Sequence, residues 1–326
     1  MAVTVELPLL MACHAMATRF ELVLYGGNPI RMRAIAEEAF EEIQRLDRQL
    51  SAYRDASDIS RINSRSSMEW VRVEPRLFAL LDRARQISEA TTGAFDITAG
   101  PLSKCWGFAG GNTSVPSSES ITAARQAVGF QKLVLDSERS AVRFLHPGMR
   151  LDLGAIGKGY ALDCAVTILR EAGVEAALIH GGTSTSCAIG APPGAPSWVV
   201  ALPPAVCESG GAENPEPSPR CIALRNESLS VSAVWGRSFR EGNRELGHVM
   251  DPRTGEPTQS ARSTAVVLPS ATESDALSTA LLVLGPAGVE PLLVFRPNAR
   301  IWIDEHPWNV SVSEKHGGSA VANPPY

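Results

Sequence analysis

The 326-residue sequence has little of what marks several function classes. Cysteines number six (Cys13, Cys105, Cys164, Cys187, Cys207 and Cys221), and no two form a C-x-x-C pair. This argues against a zinc site and for reduced thiols in a cytoplasmic protein rather than a disulfide framework. Basic residues are not in excess. The net charge is −5, which implies no broad cationic field for nucleic acid. No uncharged apolar run approaches the roughly 18 residues of a membrane helix, so no membrane span is expected. "LMAC", ending at Cys13, resembles a lipoprotein processing site. A signal peptide, however, needs a cationic start and an apolar stretch of about 7–15 residues. Glu6 is the only charge before Cys13 and "LPLLMA" is short, so the expectation is no export signal. A G-x-x-x-x-G-K-[ST] phosphate loop and a G-x-G-x-x-G dinucleotide fingerprint are both missing.

What is present is an ordinary globular composition, 44% hydrophobic and 20% charged, sufficient for one large domain. "TRFELVLYG" (18–26) alternates as a strand, and residues 31–50 repeat apolar positions at helical spacing. The segment "SAYRDASDISRINS" reads as a polar connection. A second amphipathic helix covers 76–91. A hairpin over 132–157 feeds a helix at 158–174, and strands are expected at 176–182, 197–203, 221–233, 264–271 and 300–305, with a buried helix at 271–285. Strands and helices mix without a regular βαβ alternation, so the fold class is α+β. The simplest organisation is one domain over 1–326. It carries a Pro/Gly/Glu-rich loop insertion at about 203–220 and a frayed tail from about 314.

Four stretches could carry chemistry. In "ATESDALSTALLVLG" (271–285), Asp275 and Thr279 lie four apart, on one helix face. Thr272 with Asp275 fits a capping box; the same carboxylate and hydroxyl also fit a hard cation such as Mg²⁺. "LDLGAIGKGYALD" (151–163) is either a plain strand-to-helix turn with a solvated lysine or a backbone cradle with Lys158 facing a phosphate. "GHVMDPRTGEP" (247–257) pairs a good turn with His248, a suitable proton acceptor or an ordinary structural histidine. "TTGAFDITAGPL" (91–102) reads as an apolar strand bearing one acid, Asp96, which either caps a turn or needs a ligand.

In order along the chain, "HAMATRFEL", "LSAYRDASDISRIN", "TTGAFDITAGPL", "WGF", "LDLGAIGKGYALD", "HGG", "HVMDPRTGEP" and "SDALSTALLVLG" resemble the ApbE family of FAD:protein FMN transferases, from about residue 14 to about 285. The resemblance implies an α+β fold with a tunnelling-fold-like core of mixed sheets and packed helices. It implies FAD as substrate, Mg²⁺ as cofactor, and a flavin-acceptor protein presenting a Thr or Ser hydroxyl to which FMN is joined while AMP leaves. By motif, Met16, Tyr53, Ala94, Phe95, Asp96, Asp152, Lys158 and Val249 match cofactor-binding positions. The Ala155 carbonyl, Asp275 and Thr279 match the Mg²⁺ ligands, and His248 matches the base. The family is mostly exported and often lipid-anchored, so a periplasmic anchored form would follow if the N-terminus were incomplete. Ala17 stands where the family commonly has Gly, and it fits if its φ is negative. Thr183, Ala233 and Trp235 also depart from the pattern, the last enlarging a residue near the flavin or the target. The alternatives are an FAD pyrophosphatase yielding free FMN and AMP, and a non-catalytic FAD-binding module.

Overall fold

The computed structural model describes residues 7–202, 221–242, 244–305 and 309–313. The 203–220 insertion and the tail from 314 therefore lie outside the described residues. In chain order the elements are β1 (Leu9–Ala15), β2 (Thr18–Tyr25), α1 (Pro29–Leu50), α2 (Asp58–Arg65), β3 (Val71–Arg72), α3 (Pro75–Ala90), α4 (Gly100–Cys105) and α5 (Ser118–Gln126). Next come β4 (Leu133–Asp136), β5 (Ala141–Phe144), α6 (Gly157–Glu171), β6 (Ala176–Gly181), β7 (Thr185–Ile189), β8 (Trp198–Ala201), β9 (Cys221–Leu224) and β10 (Ser228–Ala233). The last are β11 (Ser238–Glu241), β12 (Arg244–Gly247), β13 (Ser263–Leu268), α7 (Ala271–Leu284), α8 (Val289–Phe295), β14 (Arg300–Glu305) and β15 (Asn309–Ser313). The α+β class holds.

An eight-stranded sheet in the order β1-β2-β6-β7-β10-β13-β14-β15, antiparallel throughout, organises the chain. On β2, Phe20, Leu22 and Leu24 point to one face and are buried, the period-two pattern of a half-covered strand. That face joins one large core with α1, α3, α6 and α7. Helix α1 starts at Pro29 because Asn28 accepts the Ile30 N–H at 2.9 Å, and it buries Met32, Ala36, Phe40, Ile43 and Leu50 along one stripe. The opposite face of the sheet buries Ala188, Leu229, Ala265 and Val267 beneath Trp198, Ile222 and Leu224 of the β8–β9 pair.

Several sequence expectations change. The apolar run before Cys13 is β1, an edge strand paired with β2 from Leu9↔Leu24 to Ala15↔Thr18. The segment read as a polar connection contains α2, which Ser57 caps through the Ser60 N–H and which buries Ile59 and Ile62. Residues 221–233 are two strands in different sheets, parted where Asn226 takes φ +54°. Residues 91–99 form turns rather than a strand, because Thr92 and Gly93 adopt positive φ and Asp96 folds the chain onto Thr98. Ala271–Phe295 is long and apolar enough in composition to cross a membrane. In the fold it is broken at Gly285, and α7 lies in the protein core against α6, β10 and β13.

Candidate active site

A cleft of about 780 Å³ gathers all twelve residues singled out from the sequence: Met16, Tyr53, Ala94, Phe95, Asp96, Asp152, Ala155, Lys158, His248, Val249, Asp275 and Thr279. They come from six separate stretches of chain, so the cleft exists only once the sheet and helices are assembled. Thr183, Ala233 and Trp235, which depart from the family pattern, line the same cleft.

Met16 sits at the tip of the β1–β2 hairpin. Met16 and Ala17 have φ of 49° and 57°, the two-residue turn whose twist matches the strands. The condition under which Ala17 would fit without cost, a negative φ, is not met: the hairpin demands a left-handed residue there, which alanine adopts at a cost. Asp47 of α1 pins the turn, its Oδ1 accepting the Met16 N–H at 2.9 Å while its Oδ2 holds Arg54 at 2.9 Å.

Asp96 is committed locally. Its Oδ1 accepts from the Thr98 N–H at 2.8 Å and the Thr98 hydroxyl at 2.7 Å, and its Oδ2 accepts from the Phe130 N–H at 2.9 Å. Burial raises its carboxyl above the usual range against these bonds. Of the two readings, the turn-capping acid describes its visible bonds. Tyr53 is exposed on the cleft rim, where partial burial and the neighbouring Asp152 carboxylate make its phenol harder to ionise.

The Gly-rich turn leads into α6. Asp152 Oδ1 accepts the Gly154 N–H at 2.9 Å, closing the turn. Lys158 reaches only the Gly154 carbonyl, at 3.4 Å, and makes no ion pair among the described residues. Its ammonium stands at the positive end of the α6 dipole, which leaves this corner of the cleft suited to an anion.

The start of α7 also differs from the expectation. Ser270, not Thr272, is the N-cap, accepting the Glu273 N–H at 3.3 Å, while the Glu273 carboxylate pairs with Arg296 instead of reaching back to Ser270. Asp275 lies one turn further in and is buried. Its Oδ2 accepts the Gly159 N–H of α6 at 2.9 Å, supplying the cap that Ile156 cannot provide. Its other oxygen makes no hydrogen bond among the described residues. The Thr279 hydroxyl donates to the Asp275 carbonyl at 3.3 Å and lies 3.2 Å from the Ser232 hydroxyl. Among the described residues, no three His, Cys, Asp or Glu side chains converge as a metal site. Asp275, Thr279 and Ala155 line the same cleft, and one carboxylate, one hydroxyl and one backbone carbonyl form a donor set that suits Mg²⁺, which takes few protein oxygens and completes its shell with substrate phosphates.

His248 follows β12. Its N–H donates to the Arg237 carbonyl at 3.0 Å, and its Nδ1 lies 3.2 Å from the same oxygen. A carbonyl can only accept, so that contact places the proton on Nδ1 and leaves Nε2 as an acceptor. Burial lowers the histidine's pKa, with Arg237 and Lys158 adding repulsion. The ring meets Phe108 edge-on at 6.4 Å. The turn behind it is fixed by the Trp106 indole, which donates to the Gly255 carbonyl at 2.8 Å.

Sequence reasoning missed three functional neighbours. Ser232 extends a seam of hydroxyls in which Ser230 meets Ser274 at 3.1 Å and Ser232 meets Ser278 at 2.8 Å. The available signal was serine at period two on β10 facing serine at period four on α7. Arg237 supplies the carbonyl that orients His248. Asp163, inside the "KGYALD" block, binds the start of α7.

Comparisons with known proteins give the chain's relatives. The chain is 28% identical over 278 residues to FAD:protein FMN transferase of Escherichia coli K12, covering 83% of this chain and 77% of that one. It is 29% identical over 302 residues to FAD:protein FMN transferase of Treponema pallidum, covering 85% and 82%. The ApbE protein of Thermotoga maritima superposes with a TM-score of 0.82 at 30% identity, covering 94% of this chain and 97% of that one. The apo flavinyl transferase ApbE of Pseudomonas stutzeri gives 0.81 at 25%, covering 96% and 98%. The ApbE family profile matches residues 16–301, and the chain belongs to the ApbE family.

Proposed function

We propose that the protein is an Mg²⁺-dependent FAD:protein FMN transferase, which joins FMN by a phosphoester to a Thr or Ser hydroxyl of an acceptor protein and releases AMP. The observation that carries this reading is the meeting, in one cleft, of a cation on a helix N-terminus, a buried carboxylate and a half-buried histidine: among the described residues the cation makes no ion pair, and one carboxylate oxygen and Nε2 make no hydrogen bond.

The acceptor hydroxyl oxygen attacks the phosphorus of the FMN half of FAD. The bond from that phosphorus to the bridging oxygen breaks, and AMP leaves with the bridging oxygen. His248 Nε2 takes the hydroxyl proton. Lys158, at the positive end of the α6 dipole, holds the pyrophosphate in place. Asp275, Thr279 and the Ala155 carbonyl would hold Mg²⁺, which when bound neutralises charge on the pyrophosphate oxygens. Met16, Tyr53, Ala94, Phe95 and Val249 offer the apolar walls that a flavin or adenine ring requires.

The test is incubation with FAD, Mg²⁺ and a flavoprotein acceptor, followed by mass spectrometry of the protein and of AMP. A covalent FMN adduct on the acceptor with equimolar AMP supports transfer. The alternative hydrolase reading draws on Trp235 in the cleft wall, and free FMN plus AMP with no adduct would replace transfer by it. FAD bound without AMP release would make the protein a flavin-binding module, a reading disfavoured by the joint presence of His248, Lys158, Asp275 and Thr279 in the cleft.

A further inference from the structure

Asp163 lies on α6, outside the cleft, yet its carboxylate accepts four hydrogen bonds from the start of α7. The donors are the Ser270 hydroxyl at 2.8 Å, the Ala271 N–H at 2.8 Å, the Thr272 N–H at 2.9 Å and the Thr272 hydroxyl at 2.6 Å. Helix α7 already has its own N-cap in Ser270. A second carboxylate brought in from a neighbouring helix does more than cap. It fixes where α7 begins relative to α6.

The opposite contact runs the other way, since Asp275 of α7 accepts the Gly159 N–H of α6. Gly159 and Asp163 are one turn apart on α6, and Ala271 and Asp275 are one turn apart on α7. Each helix thus holds the other's first turn through an anion placed at the positive end of the partner's dipole. Two clasps a turn apart block both sliding and rotation of α7 against α6. Asp275 and Thr279 ride on α7, whereas Ala155 and Lys158 sit at the entry to α6, so the clasps set the spacing between the two halves of the cleft's oxygen and cation set.

We propose that Asp163 is a positioning residue for the metal site: it holds α7 in the register that places the Asp275 and Thr279 oxygens opposite the Ala155 carbonyl. The inference rests on the metal reading given under the proposed function. Its signature is a change in metal affinity from a residue that touches neither metal nor substrate, as outer partners of metal ligands commonly produce.

The experiment titrates the full chain with Mn²⁺, followed by electron paramagnetic resonance, and in parallel measures the Mg²⁺ dependence of AMP release and FAD affinity without metal. Asp163→Asn keeps the side-chain shape but removes the charge and one acceptor, and should raise the Mn²⁺ Kd about 3–10-fold; Asp163→Ala should raise it about 10–100-fold. Turnover at saturating Mg²⁺ and metal-free FAD affinity should stay near wild type. If Asp163→Ala fails to fold, Asp163→Asn carries the test. A lower melting temperature with unchanged Mn²⁺ affinity would overturn the inference and leave Asp163 a purely structural cap. Asp275→Asn, run alongside, separates the two readings. If it also leaves Mn²⁺ affinity unchanged, the metal assignment fails and the inference with it. If it weakens Mn²⁺ while the Asp163 variants do not, only the inference fails.

Discussion

The Asp275 carboxylate accepts the Gly159 N–H at 2.9 Å, and the Cβ that Gly159 lacks would stand 2.1 Å from the Ala271 carbonyl oxygen and 2.8 Å from Asp275 Cβ. Helices α6 and α7 therefore approach as closely as a glycine permits, and the carboxylate reaches across that contact while still lining the cleft. Its two oxygens differ: one closes the first turn of α6, and the other makes no hydrogen bond among the described residues.

Asp275→Ala and Asp275→Asn should tell the two oxygens apart. An asparagine oxygen can still accept the Gly159 N–H, so Asp275→Asn should stay within about 1 kcal/mol of wild type in urea denaturation. Asp275→Ala leaves a buried N–H without its partner and should lose about 1–3 kcal/mol. Both should lower FMN transfer at limiting Mg²⁺ by about 100-fold or more, since each removes a charged oxygen from the proposed metal. Transfer surviving in Asp275→Asn at low Mg²⁺ would remove Asp275 from the metal site.

Gly159→Ala should force the two helices apart. The obstructing atom is a backbone carbonyl, which cannot swing aside as a side chain would. A loss of about 1–3 kcal/mol is expected from overpacking, together with loss of transfer activity. Thermal denaturation and the AMP-release assay measure the two effects; wild-type values in both would show that α7 can yield.

Ala17→Gly should stabilise the protein. A left-handed conformation costs an L-residue roughly 1–2 kcal/mol, and glycine escapes that penalty while losing more chain entropy on folding. The net gain expected at Ala17, with φ of 57°, is about 1 kcal/mol in chemical denaturation. No gain would mean that the strain at this hairpin is relieved by the Met16–Asp47 bond.

The pH profile should report His248. As a base it must be neutral, so kcat/KM falls as pH drops through its pKa. Burial shifts that pKa downward, which places the acid limb below the ordinary histidine value of about 6.5. His248→Ala should abolish this limb and lower the rate about 100–10,000-fold, the usual contribution of a positioned base. A limb centred above about 6.5 would contradict the half-buried, neutral imidazole.

The long periodic elements were legible without the structure. α1, α3, α6 and α7 follow their apolar spacing, and β2, β6, β13 and β14 their alternation or apolar runs. Short elements were not. α2 hides in a polar stretch because only Ile59 and Ile62 reach the core, and the turn around Asp96 resembles a strand because its apolar residues are buried, with one isolated bridge from Ala99 to Arg150 in place of a ladder. At α7 the chain offers two overlapping capping patterns, Thr272–Asp275 and Ser270–Glu273. Only the approach of Asp163 to Ser270, Ala271 and Thr272 decides which serves.

The sequence by itself determined the chemical inventory: which carboxylate, hydroxyl, ammonium and imidazole are available, and in which motif blocks. Spacing within a block carries that information because neighbours on one turn share a face. The tertiary structure alone decided which of these groups meet and which oxygen of each carboxylate is spent. Asp96 and Asp275 are both single acids in apolar stretches. The first has all its visible bonds to its own turn and Phe130, whereas the second keeps an oxygen at the cleft wall. That distinction depends on long-range packing of helix against helix, and local pattern carries no trace of it.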